Sequence, residues 1–163
     1  MKQFHITNNI TSVNKIHNLL GLLFLFQTLF IFSSFADEQI GMIMDIKGNA
    51  YVKNITGKEI ELNIYDQIFK NDIVSTDEAS TTTIQYIDNT TIFLKKSSSI
   101  EINELNPSGS NIIFLGKIAK GSAIIESGKI AKIENGKMII ALPKFILSIK
   151  GTRLNVNALP NGE

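Results

Sequence analysis

The stretch STTTIQYIDNTTIFLK, residues 80–95, decides the fold class. Thr82, Ile84 and Tyr86 fall on one face of an extended chain and Thr83, Gln85 and Ile87 on the other, because successive strand side chains point to opposite sides. Asp88 and Asn89 interrupt this alternation, and a second β-branched and aromatic run fills 90–95. Asn tolerates the left-handed backbone that a two-residue hairpin turn demands, so the stretch reads as two antiparallel strands joined at Asp88-Asn89.

Working outward, 41–46 and 50–55 are two candidate strands that meet near Lys47-Gly48-Asn49. Beyond the hairpin come apolar runs at 112–115, 122–126, 129–133, 137–142, 145–149 and 154–156, divided by Gly116, Gly121, Ser127-Gly128, Asn135-Gly136, Pro143 and Gly151. No 3.6-residue period is sustained anywhere after residue 41. Short strands at this spacing with Gly and Asn-Gly turns predict an all-β chain, a single antiparallel β-sandwich or roll-like domain. Residues 66–76, DQIFKNDIVST, fit either a turn entering a strand or one helical turn. Phe145, Leu147 and Ile149 are expected on one face of an entering strand, Leu154 and Val156 on one face of a leaving strand, with Gly151 permitting the kink between them. Gly-Lys-Ile-Ala-Lys occurs at 116–120 and again at 128–132. Two copies are too few for a solenoid, and the expectation is two similar hairpin strands.

The N-terminal 36 residues are of another kind. Residues 19–32 read LLGLLFLFQTLFIF, preceded by Lys15 and His17 and followed by Ser34-Phe35-Ala36 and then Asp37-Glu38. A weakly basic start, a short apolar run and small residues before the cut describe a secretory signal peptide. A helix of that run spans about 21 Å, against a hydrocarbon core of roughly 30 Å. The expected organisation is therefore a signal peptide, or an uncleaved membrane anchor, over 1–36 and a β domain over 37–163. The localisation that follows is periplasmic or extracellular.

The chain has 163 residues with 44% hydrophobic content, enough for one domain with a real core. All 15 Asp and Glu lie at residue 37 or later, where 14 Lys and Arg accompany them for a net charge of −1. With no basic field, no nucleic-acid partner is expected, and membrane contact is expected only through the N-terminal segment if it is retained. Cysteine is absent, so stability rests on the core, and the lipid-bearing Cys of a bacterial lipoprotein is missing too.

Both histidines, His5 and His17, lie in the leader, so a mature chain has neither His nor Cys. Ser-His-Asp and Cys-His nucleophiles and His or Cys metal sites are excluded together. Asp66, Asp72, Asp77 and Glu78 cluster within thirteen residues. Two carboxylates meeting across a cleft serve glycoside hydrolysis, and oxygen ligands serve Ca²⁺, but the spacing of a dedicated Ca²⁺ loop is absent and Asp more often punctuates turns. No phosphate-binding glycine motif occurs. The expectation is no enzyme, no cofactor and no metal. Arg153, the sole Arg, is either a strand anchor or a partner-binding residue suited to carboxylate or phosphate. Tyr51, Tyr65 and Tyr86 read as core or cross-strand packers.

Four stretches together resemble the FecR-like extracytoplasmic domain family. They are 41–52; 62–76, which ends Asn71-Asp72-Ile73-Val74-Ser75-Thr76; 80–94, a strand, an Asp88-Asn89 turn and a strand; and 141–156, ALPKFILSIKGTRLNV. The last is similar to the family's Thr-Pro-x-Ala-x-Ile-x-Val-Arg-Gly-Thr-x-Phe-x-Val ending. Asn stands here in place of Gly in both the Gly-Asp and Asp-Gly turns of the family. The founding members also span the inner membrane and control a sigma factor from a cytoplasmic segment, whereas 18 residues precede the apolar run here. The resemblance implies the sensor-type β domain without that output: a non-enzymatic module that binds a protein or envelope ligand in envelope sensing or signalling. A structural or adhesive envelope module, associated with peptidoglycan or polysaccharide, is the alternative.

Overall fold

The computed structural model describes residues 38–151 and 153–158. The leader expected over 1–36 lies outside these residues. Among the described residues twelve strands follow one another: β1 Gln39–Lys47, β2 Ala50–Lys53, β3 Glu59–Glu61, β4 Gln67–Phe69, β5 Ile73–Thr76, β6 Thr81–Tyr86, β7 Thr91–Leu94, β8 Ser99–Asn106, β9 Ile113–Glu126, β10 Lys137–Ala141, β11 Ile146–Ile149 and β12 Arg153–Ala158. A 3-10 helix, Ile130–Lys132, lies between β9 and β10.

The fold is all-β, as the alternation predicts. One sheet has the order β4-β1-β6-β7-β9-β12 and the other β3-β2-β5-β8-β9-β10-β11. Pairing is antiparallel except between β9 and β10, which run parallel. The fourteen-residue β9 belongs to both sheets. Its first half pairs with β8 and β10, its second half with β7 and β12. Gly121, with φ +81°, is the bend, and a Cβ there would sit 2.6 Å from Ser98 Cα. A backbone that needs both positive φ and so close an approach admits glycine alone.

Three further crossings between the sheets, β1 to β2, β5 to β6 and β7 to β8, lie beside that bend. Small hydroxyls tie them into one crease. Asn49 N–H donates to Ser80 Oγ at 2.8 Å, Ser98 N–H to Thr76 Oγ1 at 3.1 Å and Ser122 N–H to Ser98 Oγ at 2.8 Å. Main-chain bonds from Ser97 to Asp77 and from Lys95 to Ser122, both 2.9 Å, complete the line. Each hydroxyl satisfies a main-chain group that a corner would otherwise leave unpaired, a deficit of about 1–3 kcal/mol apiece. This accounts for the Ser and Thr content of 75–99.

The folded sheet encloses a single core, to which Ile40, Ile43, Ile84, Ile92 and Ile125 contribute from one sheet and Ile100, Ile102, Phe114, Ile118 and Ile140 from the other. Each such side chain contributes about 1.5–3 kcal/mol by leaving water. Tyr86 and Phe114 meet edge to face, with ring centroids 5.4 Å apart.

The 80–95 hairpin forms as read, with Asn89 at φ 67°. Residues 66–76 resolve into β4, a turn with Asn71 at φ 65°, and β5. Other expectations need correction. Gly116 and Gly121 lie inside one long strand instead of dividing two. Residues 129–133 form the 3-10 turn instead of a strand, because Asp88 draws their amides away from any ladder. Phe145 does not share the buried face with Leu147 and Ile149: it precedes β11 at the hairpin tip and is 67% exposed. Strands β3 and β8 were not anticipated. Gly151 has φ +56°, consistent with the kink expected there, and Val156 and Ala158 bury the leaving strand.

Candidate functional site

The four clustered carboxylates are parts of turns. Asp66 Oδ2 accepts the Asn63 N–H at 2.7 Å, and the buried Asp72 Oδ2 accepts the Phe69 N–H at 2.9 Å. Asp77 Oδ2 accepts the Tyr51 hydroxyl at 3.3 Å, and its carbonyl takes amides from Ser80 and Ser97. Glu78 is exposed in the same corner. Among the described residues, no three His, Cys, Asp or Glu side chains form a group able to hold a metal ion. The Tyr51 phenol is raised above its ordinary value, chiefly by desolvation and then by Asp77.

Asp66 and Asp72 both line a groove of about 470 Å³ that Ile60 of β3 and Gln67 and Phe69 of β4 also border. Val52 and Ile60 line it from one sheet, Gln67 and Phe69 from the other, and Tyr65 stands at its mouth. Tyr65 has φ 74° and is 69% exposed, while its N–H donates to the Ile43 carbonyl at 2.8 Å. A bulky residue in left-handed backbone is strained, and an aromatic ring left in water gains nothing from that strain within the fold. Ile60 and Ile64 lie exposed nearby in the chain, so the groove presents apolar contact surface beside two carboxylates. The sequence offered one signal for this turn, Asn63 and Asp66 flanking an apolar pair. It pointed to the turn and not to the exposed ring.

Arg153 lies elsewhere. It opens β12 opposite Glu126 of β9 and borders a shallow depression of about 350 Å³ that includes Phe93 and Ile124. A more polar depression of about 430 Å³ lies between Asn111, Asn135, Lys137 and Lys150, where the Lys150 amine donates to the carbonyls of Glu134 and Gly136.

The near-neutral sum conceals segregated charge. Residues 38–116 carry six Lys against eleven Asp and Glu, a net of −5, and residues 117–158 carry eight Lys and Arg against two Glu, a net of +6. The acidic part holds β1 to β8 and the basic part β10 to β12.

No protein-family model matches the chain, and no curated protein matches it. A solved structure described as a cell surface anchoring domain is 31% identical over 39% of this chain and 84% of that one, with a TM-score of 0.38. That score is too low to transfer anything to this chain. Among the described residues, no helix is long and apolar enough to cross a membrane.

Proposed function

We propose that the chain is an exported, non-enzymatic β module of the cell envelope, FecR-like in plan, that acts by holding a protein or envelope ligand. One observation carries the non-catalytic reading: the side chains of Asp66, Asp72 and Asp77 are already engaged with groups of the fold itself. What the surface offers instead is contact chemistry, with Tyr65 and Ile60 at the groove and Arg153 on the opposite-charged part as a second candidate contact. Export, to the periplasm or outside the cell, is supported by the order of basic, apolar and small residues ahead of Asp37. A structural or adhesive role without signalling is the second reading, favoured by exposed apolar side chains at the sheet margins, including Ile60 and Ile146.

The test has two parts. Residues 1–40 fused to a reporter active only outside the cytoplasm give signal, and signal confined to the cytoplasm sinks the export reading. A photo-crosslinking residue at position 65, introduced in living cells, traps one discrete envelope component. Absence of any adduct at 65 and at 153 alike removes the contact reading.

A further inference from the structure

The sheet that holds β3 at one margin holds β11 at the other. Among the described residues β3 pairs with β2 alone and β11 with β10 alone. An unpaired edge presents a row of N–H and C=O groups that templates another strand. We propose that this chain assembles head to tail with further copies of itself, β11 of one copy pairing with β3 of the next, so that the sheet continues from copy to copy. This assembly stands apart from the export and ligand readings above, and each can fail without the other.

Strand direction is the first support. Counting across the sheet, β3 and β5 run one way, β2 and β8 the other, β9 and β10 with β3, and β11 against it. A copy displaced along the sheet without rotation therefore brings β3 antiparallel to β11, with outer faces on the same side.

Face matching is the second. Val52 is buried and pairs with Ile60, so Glu59 and Glu61 occupy the outer face of β3. Ile140 is buried and pairs with Leu147, so Ile146 and Ser148 occupy the outer face of β11. The joined sheet sets Leu147 beside Ile60 on the inner side. On the outer side it sets Ile146, 77% exposed in a single copy, in the row of Glu59 and Glu61.

Charge decides which copy-to-copy contact forms. Lys144 and Lys150 flank β11, whereas β3 reads Glu-Ile-Glu. Pairing β11 with another β11 sets lysine against lysine, and pairing β3 with β3 sets glutamate against glutamate, each opposed by like-charge repulsion. Of these three pairings only β11 with β3 brings opposite charges together, in the direction set by the −5 and +6 parts of the chain. A heterologous contact of this kind leaves an unused edge at each end, so the assembly grows with concentration.

Light scattering and sedimentation of the protein, purified in the form cells accumulate, test this with two charge reversals. Lys144→Glu, with Lys150 still beside β11, leaves that margin without net positive charge to meet the acidic β3, and Glu59→Lys with Glu61→Lys makes both margins basic. Circular dichroism and melting curves check that each variant remains folded. Wild-type mass is expected to rise with concentration and to fall back in about 1 M salt, where the screening length is roughly 3 Å. Each variant alone is expected to associate at least about tenfold more weakly, a difference near 1.4 kcal/mol. An equimolar mixture of the two variants restores association, because the unaltered acidic β3 of the first then meets the unaltered basic β11 of the second. A wild type that stays monomeric at every concentration overturns the proposal. So does association unchanged by both reversals, or folded variants whose mixture stays monomeric.

Discussion

The pentapeptide Gly-Lys-Ile-Ala-Lys at 116–120 runs straight through the middle of β9, whereas the same five residues at 128–132 turn out of the strand and close into the 3-10 helix. Their burial is almost identical. Gly and Ile are buried and both Lys exposed in each copy, and only the alanine differs: Ala119 faces water while Ala131 is 3% exposed. The difference comes from what each copy meets. At 116–120 the chain pairs with β8 along its length and with β10 at Gly116 and Lys117, so that Lys117 has Glu101 on one side and Ala141 on the other and a ladder holds the backbone extended. At 128–132 the amides meet the Asp88-Asn89-Thr90 turn instead. Gly128 N–H donates to Thr90 Oγ1 at 3.0 Å, Lys129 N–H to the Asp88 carbonyl at 2.7 Å and Ile130 N–H to Asp88 Oδ2 at 3.4 Å. Asp88 Oδ1 and Oδ2 also hold the Thr90 N–H and hydroxyl, both at 2.9 Å. Local sequence leaves the conformation open, and tertiary partners choose it.

The sharpest way to break the comparison is at the first residue of each copy. A Cβ on Gly128 would run into the Asp88 carbonyl oxygen and the Thr90 nitrogen and lie 2.6 Å from the Asn89 carbonyl carbon, all main-chain atoms that cannot step aside. A Cβ on Gly116 meets the ends of flexible side chains, Ile102 Cδ1 at 2.8 Å and Ile140 Cδ1 at 3.1 Å. Gly128→Ala is expected to cost about 3 kcal/mol or more, and Gly116→Ala about 1–2 kcal/mol, partly offset by the better strand propensity of Ala. Denaturant titration of the two variants measures the gap. Equal costs would mean that the turn, like the strand, yields at this position.

How much was legible follows from the same contrast. The 80–95 hairpin could be read because alternation and an Asp-Asn turn are both local. The break at 116 and 121 was misread because glycine marks a turn in sequence but here marks close packing at Ile102 and a bend at Ser98. Strand β8 hid because its outward positions are Glu and Asn and its register shifts between Ile102 and Glu104, which spoils the period. The groove and the edges at β3 and β11 had no local signal at all. They depend on which strands the folded sheet leaves at its margins, and that is fixed by pairings dozens of residues apart. The carboxylates, by contrast, behave as turn residues, the more common use of Asp.

A pH titration sharpens the comparison by acting on the turn that holds the second copy. Tyr86 is fully buried two residues before Asp88, and burial, then the Asp88 carboxylate, push its phenol well above the ordinary 10.0. The folded state thus keeps a proton that the unfolded state gives up. The stability this contributes is fully present below about pH 10 and is lost as pH rises from there toward the folded value, by up to about 1.4 kcal/mol per unit. Melting temperatures between pH 9 and 12 should fall more steeply for the wild type than for Tyr86→Phe. Amide exchange at 129–132 is expected to quicken before exchange at 117–120, because only the former hang on Asp88. Parallel pH profiles for the two proteins would remove Tyr86 from the alkaline transition.

The smallest expected effect lies at the one position where the copies differ in burial. Ala119 faces water in an extended backbone, where a β-branched residue gains from its restricted rotamers and from contact with strand neighbours. Ala131 is buried in the 3-10 turn, with Ile130 buried beside it, so the added hydroxyl and methyl of Thr must enter a packed interior and leave water. Ala131→Thr should therefore destabilise by about 1–2 kcal/mol, and Ala119→Thr should shift stability by no more than about 0.5 kcal/mol, toward the folded state. The two substitutions are the same chemical change in the same pentapeptide, so propensity within five residues predicts one common value. Chemical denaturation that returns opposite signs shows the alanine reading its surroundings. Two equal values would mean that the pentapeptide carries its own preference, and that Asp88 merely decorates a turn the chain would make without it.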